Sequence, residues 1–414
     1  MPFSENDRLI IRKLAGQVME IARLPVQDEK RAMWRKLNRL EPVRPMVWIN
    51  EIPWWEMQCG ELACRCEDPF CRSVEGGLRT TLYLWNHMRT DMVVDGVWYS
   101  DCVYHDSGFG IEAQSVLGQT QQGYGFGSRN YIPVIRDEAD VGKIQVPRIT
   151  ADWEATERNY QMACELLEGA MPVQKRGVTH IWFAPWDILV QWWGVTELMV
   201  DMVDRPAFVH EGISCMVEAL CARLDQLQEQ GMLSVSNGNH RVGSGGLGIT
   251  DELPRPGYDG AHARPMDQWG TATGQIFSEV SPEMHWEFCL RHEMRWLERF
   301  GLNCYGCCEP LHNKVHILRR IPRLRRISMS RWVDVDRAAE AVGRDYIFSY
   351  KPNPAVFAWD KWEAEAARDD VRRVLERTRG CVVELIMKDI STCRNEPRRL
   401  WEWCELAVEV AEGC

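Results

Sequence analysis

The chain has 414 residues, 45% of them hydrophobic and 26% charged, with a formal net charge of −11. That mixture supports a large buried core and excludes a disordered or collagen-like chain. The acidic balance excludes nucleic acid as an expected partner: the one basic cluster, Arg319–Arg326, is interleaved with Ile321 and Leu324 and leads into a strand.

No apolar run approaches the roughly 18–20 residues of a membrane span, and Met1–Asp28 is amphipathic and lacks the apolar core of a signal peptide. The expected compartment is the cytoplasm, where the 16 cysteines stay as free thiols, bind metal or do chemistry.

Two helices are expected first, over Asp7–Arg23 and Glu29–Asn38, as an N-terminal extension within residues 1–40. Pro45–Asn50 (PMVWIN) then has the length and composition of a buried strand. Seven similar runs follow: Gly96–Asp101, Val178–Phe183, Met232–Asn237, Leu302–Cys307, Arg326–Ser330, Asp345–Tyr350 and Cys381–Met387. Helical patterns lie between most of them. Ala207–Gln230 repeats apolar residues at three- and four-residue spacing and stops at Gly231. Pro282–Phe300 starts at the capping pair Ser281-Pro282, and Glu396–Glu412 closes the chain. Strand alternating with helix eight times predicts an α/β fold, a (β/α)8 TIM barrel over residues 45–411, as one domain.

Two long irregular stretches, Tyr104–Thr150 and Asn239–Ser281, follow predicted strands and are expected as lids or pocket walls. Within the second, Gly243–Gly248 (GSGGLG) lacks the Lys-Ser/Thr of a phosphate-binding loop and reads as a mobile loop.

In such a barrel the C-terminal strand ends carry function. Cys307, Cys308 and Glu309, leaving a buried strand, suit a borderline metal such as zinc, with His240 as a remote fourth ligand. The competing reading is small thiols packed beside the barrel. Asp101, Asp187 and Lys351 are the candidate catalytic groups, handling protons or orienting substrate. Asn50, Trp54, Trp186, Asn237, Tyr305 and Trp332 are candidate substrate contacts; the 19 tryptophans either fill the core or wall an aromatic pocket. Cys59, Cys64, Cys66 and Cys71 match neither a zinc ribbon nor a finger.

Several spaced patterns resemble the uroporphyrinogen decarboxylase superfamily. They are Ile132-Pro133-Val134-Ile135 with Val146-Pro147, Trp193-Gly194 through Met202 to Arg205-Pro206, and Ser281-Pro282-Glu283 leading to Phe300-Gly301-Leu302. The Cys307-Cys308-Glu309 strand end, Ile327-Ser328, Asp334 and the segment from Thr392 continue the likeness over most of Pro45–Ala411. The resemblance implies a TIM barrel that either decarboxylates porphyrinogens or transfers methyl groups with zinc and a corrinoid protein.

The decarboxylases carry an arginine-rich stretch after the first strand. Here that place reads Asn50-Glu51-Ile52-Pro53-Trp54-Trp55-Glu56, which points away from a polycarboxylated substrate. The thiol-methylating branch has His-x-Cys after the fifth strand and a Cys near the eighth. The matching places here hold Tyr305 and Cys307, then Lys388, Asp389 and Cys393. The demethylating branch remains, in which zinc polarises an ether or alcohol oxygen, possible donors including an aryl methyl ether.

The corrinoid (cobalamin) is expected on a separate protein. Its Asp-x-His-x-x-Gly motif is matched only by Asp259-Gly260-Ala261-His262, which is spaced differently and lacks the glycine. The rival readings are a metal-independent lyase acting on another acid and a non-enzymatic binder of small molecules.

Overall fold

The computed structural model describes residues 3–57, 59–117 and 129–414. Its strands among those residues are β1 (Met46–Ile49), β2 (Trp98–Asp101), β3 (Val103–Asp106), β4 (Gln114–Leu117), β5 (Arg129–Ile132) and β6 (Ile149–Asp152). They continue with β7 (Val173–Arg176), β8 (Trp269–Ala272), β9 (Leu302–Tyr305), β10 (Leu324–Met329), β11 (Ile347–Tyr350) and β12 (Val382–Met387). Six of them form one parallel sheet in the order β1-β12-β11-β10-β9-β8.

The sheet continues beyond β8 through extended chain. Trp269 N–H donates to Ser236 Oγ (2.7 Å), and Gln268 Nε2 donates to the carbonyls of Ser234 and Val178 (both 2.7 Å). Val178 bridges Leu233 in parallel, and it extends β7, which pairs in parallel with β2. The result is a curved parallel wall flanked by helices, an α/β architecture of TIM-barrel type.

The wall is apolar because parallel strands are buried on both faces. β12 (VVELIM) is buried at every position, and its lone charge, Glu384, pairs with Arg326 of β10 across the interior at 3.0 Å. The helix Pro206–Glu229 lays Phe208, Val209, Ile213, Met216, Leu220, Leu224 and Leu227 into the largest core cluster and ends before Gly231, at φ +68°. Caps follow ordinary chemistry: the Asp68 side chain accepts from Phe70 and Cys71 N–H ahead of the helix Pro69–His87.

The N-terminal extension closes the bottom of the barrel. Trp34 is fully buried and donates Nε1 to the Asp91 carbonyl (2.7 Å). Asn38, at the end of its helix, donates to the carbonyls of Leu247 (3.0 Å) and Ile249 (2.8 Å).

Those last two bonds overturn the reading of Gly243–Gly248 as a mobile loop. The segment is buried from Val242 to Thr250 and plugs the barrel interior. Ser244 Oγ reaches the Gly306 carbonyl (2.8 Å) near the mouth, while Leu247 and Ile249 reach Asn38 at the bottom. Glycine is required by close approach. A Cβ on Gly246 would lie 2.5 Å from the Trp34 ring, and Gly243, at φ +56°, would place one 2.6 Å from Thr271 Oγ1.

Four strand expectations shift. β4 and β5 pair antiparallel inside Tyr104–Thr150, a stretch expected to be irregular. Val178–Phe183 and Met232–Asn237 contribute only the bridge Val178↔Leu233, and the regular strand is β7, just upstream of the first. β8 lies inside the stretch expected to be irregular, because its sequence, Trp-Gly-Thr-Ala, lacks a run of strand formers and is held by neighbours on both sides.

Candidate active site

The strands β9 to β12 end together at one mouth. After β9 the chain turns at Gly306, φ +94°, where a Cβ would lie 2.5 Å from Leu311 Cδ1. The turn lets Cys307 and Cys308 leave the strand with their sulfurs only 3.5 Å apart. It is pinned from three sides: Gly306 N–H donates to the Ala272 carbonyl (2.9 Å), Ser328 Oγ to the Cys307 carbonyl (2.8 Å) and the plug residue Ser244 to Gly306.

Lys388 follows β12 and faces that turn. Its Nζ stands 3.6 Å from Cys307 Sγ, 2.5 Å from Asp389 Oδ2 and 4.0 Å from Glu51 Oε2. Asp389 N–H donates to Glu51 Oε2 (2.9 Å), and Arg241 closes the group at 2.6 Å from Glu51 Oε1. Glu51 and Asp389 hold φ of +53° and +58°, a left-handed conformation that costs a non-glycine residue about 1–3 kcal/mol. Two such residues in contact mark the loop ends around Lys388 as held by their surroundings.

The charges follow from these contacts. Burial alone would raise the Glu51 carboxyl, but Arg241 and Lys388 hold it down at about 2. Burial would lower the Lys388 ammonium, but Cys307, Asp389 and Glu51 hold it above the ordinary lysine value. The hydrogen bond between the thiols splits them: Cys308 falls below the usual thiol value, and Cys307 rises, with burial adding to its rise. Within the pair, Cys308 is thus the more acidic thiol and Cys307 the less acidic. Burial brings the Lys351 ammonium down to about 8.

A cavity of about 350 Å³ opens at this mouth, and its lining includes Cys307, Cys308, Lys351, Lys388, Asp389 and Trp332, with Arg331, Pro352, Pro354, Ser391 and Thr392 also in its wall. An adjoining hollow bounded by Glu51, Ile52 and Trp55 shares Asp389, Ser391 and Thr392 with it. Glu56 shapes that shared wall by accepting from Thr392 Oγ1 (2.6 Å) and the N–H groups of Cys393 (2.7 Å) and Asn395 (3.1 Å).

Of the residues expected from sequence, the structure brings Cys307, Cys308, Lys351 and Trp332 together. The others go elsewhere. Tyr305 points from β9 to the outer helices, bonding His285 Nε2 (2.7 Å), because neighbouring strand residues face opposite ways. Trp186 is fully buried against Phe277. Asp187 bonds Gln275 (2.7 Å), and burial lifts its carboxyl to about 6. Asp101 pairs with Arg176 (2.8 Å) beside a separate hollow on the barrel flank. Asn237 Nδ2 donates to the Leu253 carbonyl (3.1 Å). Asn50 follows β1 at the same mouth, its N–H donating to the Met387 carbonyl (2.8 Å), but it does not line the cavity. Trp54 packs against Tyr83.

Lys388, Asp389 and Arg331 line the cavity and were not singled out as site residues. The available signal was position, since Lys388 and Asp389 follow a strand end.

The zinc implied by the resemblance requires Cys307, Cys308, Glu309 and His240 to converge, and they do not. Glu309 is fully buried with its oxygens committed to Thr273 Oγ1 (2.7 Å), Gly274 N–H (2.9 Å) and Cys307 N–H (2.6 Å), so it braces the turn. His240 lies in the plug beside Gly248, and burial pushes it down to about 3. The third position beside Cys307 is held by an ammonium, which repels a cation. Among the described residues no group of three or more His, Cys, Asp or Glu side chains is arranged to hold a metal.

Neither a family model nor a curated protein sequence matches the chain. Among solved structures it is similar to a methyltransferase from Methanosarcina mazei, at a TM-score of 0.53 and 11% identity, over 93% of this chain and 98% of that one. The likeness is one of fold. Among the described residues, no helix is long and apolar enough to cross a membrane.

Proposed function

We propose that this chain is a small-molecule methyltransferase, passing a methyl group from a small donor to a corrinoid carried by a separate protein. The observation that carries the reading is the thiol pair lining the cavity, with sulfurs 3.5 Å apart and Lys388 Nζ 3.6 Å from one of them. The fold shared with a methyltransferase and the patterns resembling the uroporphyrinogen decarboxylase superfamily support it. The corrinoid would supply the nucleophile that accepts the methyl group.

Removing a methyl group from an ether, alcohol, amine or thioether leaves an electron pair on the heteroatom. A proton delivered there lowers the barrier, an effect typically on the order of 10²–10⁴-fold. Cys308 is placed to deliver it. The thiolate left behind accepts the Cys307 S–H and lies in the field of the Lys388 ammonium, and both bring the Cys308 thiol below its ordinary value. The reading differs from the zinc mechanism in using a proton, where a metal would act as Lewis acid. The cavity walls of Trp332, Pro352 and Pro354 offer apolar surface to a small donor.

The test is an assay with reduced cobalamin over methoxyarenes, methanol, methylamines and methyl thioethers, read by the spectral change at cobalt. Turnover of one class that drops at least 100-fold in Cys308→Ala supports the proposal. Silence across the whole set sinks it and favours the lyase.

A further inference from the structure

The cavity carries a charge that the protein does not neutralise. Lys351 is 5% exposed and lines the cavity. Its Nζ donates to the Ser349 carbonyl (2.8 Å) and Ser349 Oγ (2.7 Å), and a lysine ammonium has a third N–H. Among the described residues no carboxylate forms an ion pair with it. The groups facing it from the packed strands are Glu384 and Lys388 of β12 and the loop after it, Arg326 of β10, and the Cys304 and Cys307 thiols of β9 and its turn.

Glu384 is already shared by Arg326 (3.0 Å), Ser349 Oγ (2.5 Å) and Gly246 N–H (3.1 Å). Arg326 and Glu384 therefore cancel, as do Lys388 with Asp389 and Arg241 with Glu51. One buried positive charge is left. Such a charge is destabilising when unpaired, and burial brings this ammonium down to about 8, so it is charged at neutral pH.

Arg331, at the rim, also lacks an ion-pair partner among the described residues. It bonds Asn353 Oδ1 and stacks on Trp332, 3.9 Å from the ring centroid. The cavity thus joins a buried cation, a rim cation and flat apolar walls.

We infer that this cavity is a binding site for a small organic monoanion, a carboxylate on a flat apolar body, with Lys351 as its buried counter-ion. A carboxylate matches the buried charge and the single free N–H of Lys351, with Arg331 at the rim. A phosphate needs several converging donors, whereas Lys351 has one N–H left and Arg331 is stacked on Trp332 and bonded to Asn353. The inference goes beyond the methyl-transfer reading, since it concerns binding and holds whatever group is transferred.

The test uses benzoate, benzamide and inorganic phosphate with the full-length protein, measured by titration calorimetry. None of the three has a methyl group, so failure here is separable from failure of the transferase reading. Benzoate is expected to bind at least tenfold more tightly than benzamide, and phosphate is expected not to displace it. In Lys351→Met the preference for the acid disappears, with circular dichroism confirming the fold. In the wild type that preference declines as pH rises through about 8 and Lys351 loses its proton. This second measurement stands even if the variant misfolds. Equal affinity for acid and amide, no binding of either, or displacement by phosphate would each overturn the inference.

Discussion

Arg326 and Glu384 form an ion pair of 3.0 Å in the centre of the barrel, with both side chains fully buried. The glycine plug seals it: a Cβ on Gly245 would lie 2.3 Å from Arg326 Cδ and 2.8 Å from Glu384 Oε1. Plug and pair therefore specify one another.

This coupling predicts the cost of disturbing either part. Glu384→Gln leaves Arg326 as an uncompensated buried charge and is expected to lower stability by about 3–5 kcal/mol. Gly245→Ala overpacks the same place and is expected to cost about 1–3 kcal/mol. Urea denaturation measures both. A Gly245→Ala protein as stable as wild type would show that the segment moves freely.

The thiol pair gives a second prediction. Removing the ammonium beside it, as in Lys388→Met, should make the first thiol proton less acidic and move its titration to higher pH, because a nearby positive charge favours the thiolate. Alkylation of Cys308, followed by peptide mass spectrometry against pH, reads this site among the 16 cysteines. An unchanged profile would show that Lys388 does not tune the pair.

The barrel class was legible because buried parallel strands are short apolar runs, and β10 to β12 announce themselves that way. The plug was not. Gly-Ser-Gly-Gly has the composition of a flexible loop, and only the Trp34 ring, Arg326 and Thr271 make glycine compulsory there. The site was half legible. Cys307 and Cys308 stood out as chemistry-bearing residues at a strand end, and Lys351 and Trp332 followed from their positions after later strands. Glu309 misled because a carboxylate beside two thiols looks like a ligand, while its direction is set by Thr273 and Gly274, more than thirty residues away. Tyr305 misled through strand parity, which a one-residue boundary error reverses.

Glu293 supplies a prediction about stability and pH. Its carboxyl is fully buried near Tyr305 and Cys289, and burial lifts it to about 8. The folded chain then keeps a proton that the unfolded chain loses near its ordinary value of 4.5. Stability is expected to fall as pH rises from about 4.5 and to level off above about 8, where both states are ionised. At 1.36 kcal/mol per unit the contribution reaches about 5 kcal/mol. Glu293→Gln should flatten this slope, giving a protein more stable than wild type at pH 8 and similar to it at pH 5. Thermal melts at the two pH values decide the matter, and a variant less stable at both would mean that the ionised carboxylate has a favourable partner.

The last prediction concerns where the corrinoid resides. The sequence Asp259-Gly260-Ala261-His262 is the nearest approach to a cobalt-ligating motif, and in the structure His262 Nδ1 is 2.7 Å from Asp259 Oδ2 on the surface. Asp259 also accepts the N–H groups of Ala261 (2.8 Å) and His262 (2.7 Å), so the four residues close a local turn. A histidine folded back on its own loop does not project towards a cofactor. The proposed transferase should therefore purify without cobalamin absorbance and show methyl transfer only when a corrinoid protein or reduced cobalamin is added. His262→Ala should leave that rate within about twofold, whereas Cys308→Ala should lower it by at least about 100-fold, the smaller end of what a positioned proton donor supplies. Protein that arrives coloured with bound corrinoid, and loses it in His262→Ala, would contradict both the separate carrier and the structural role given to this turn.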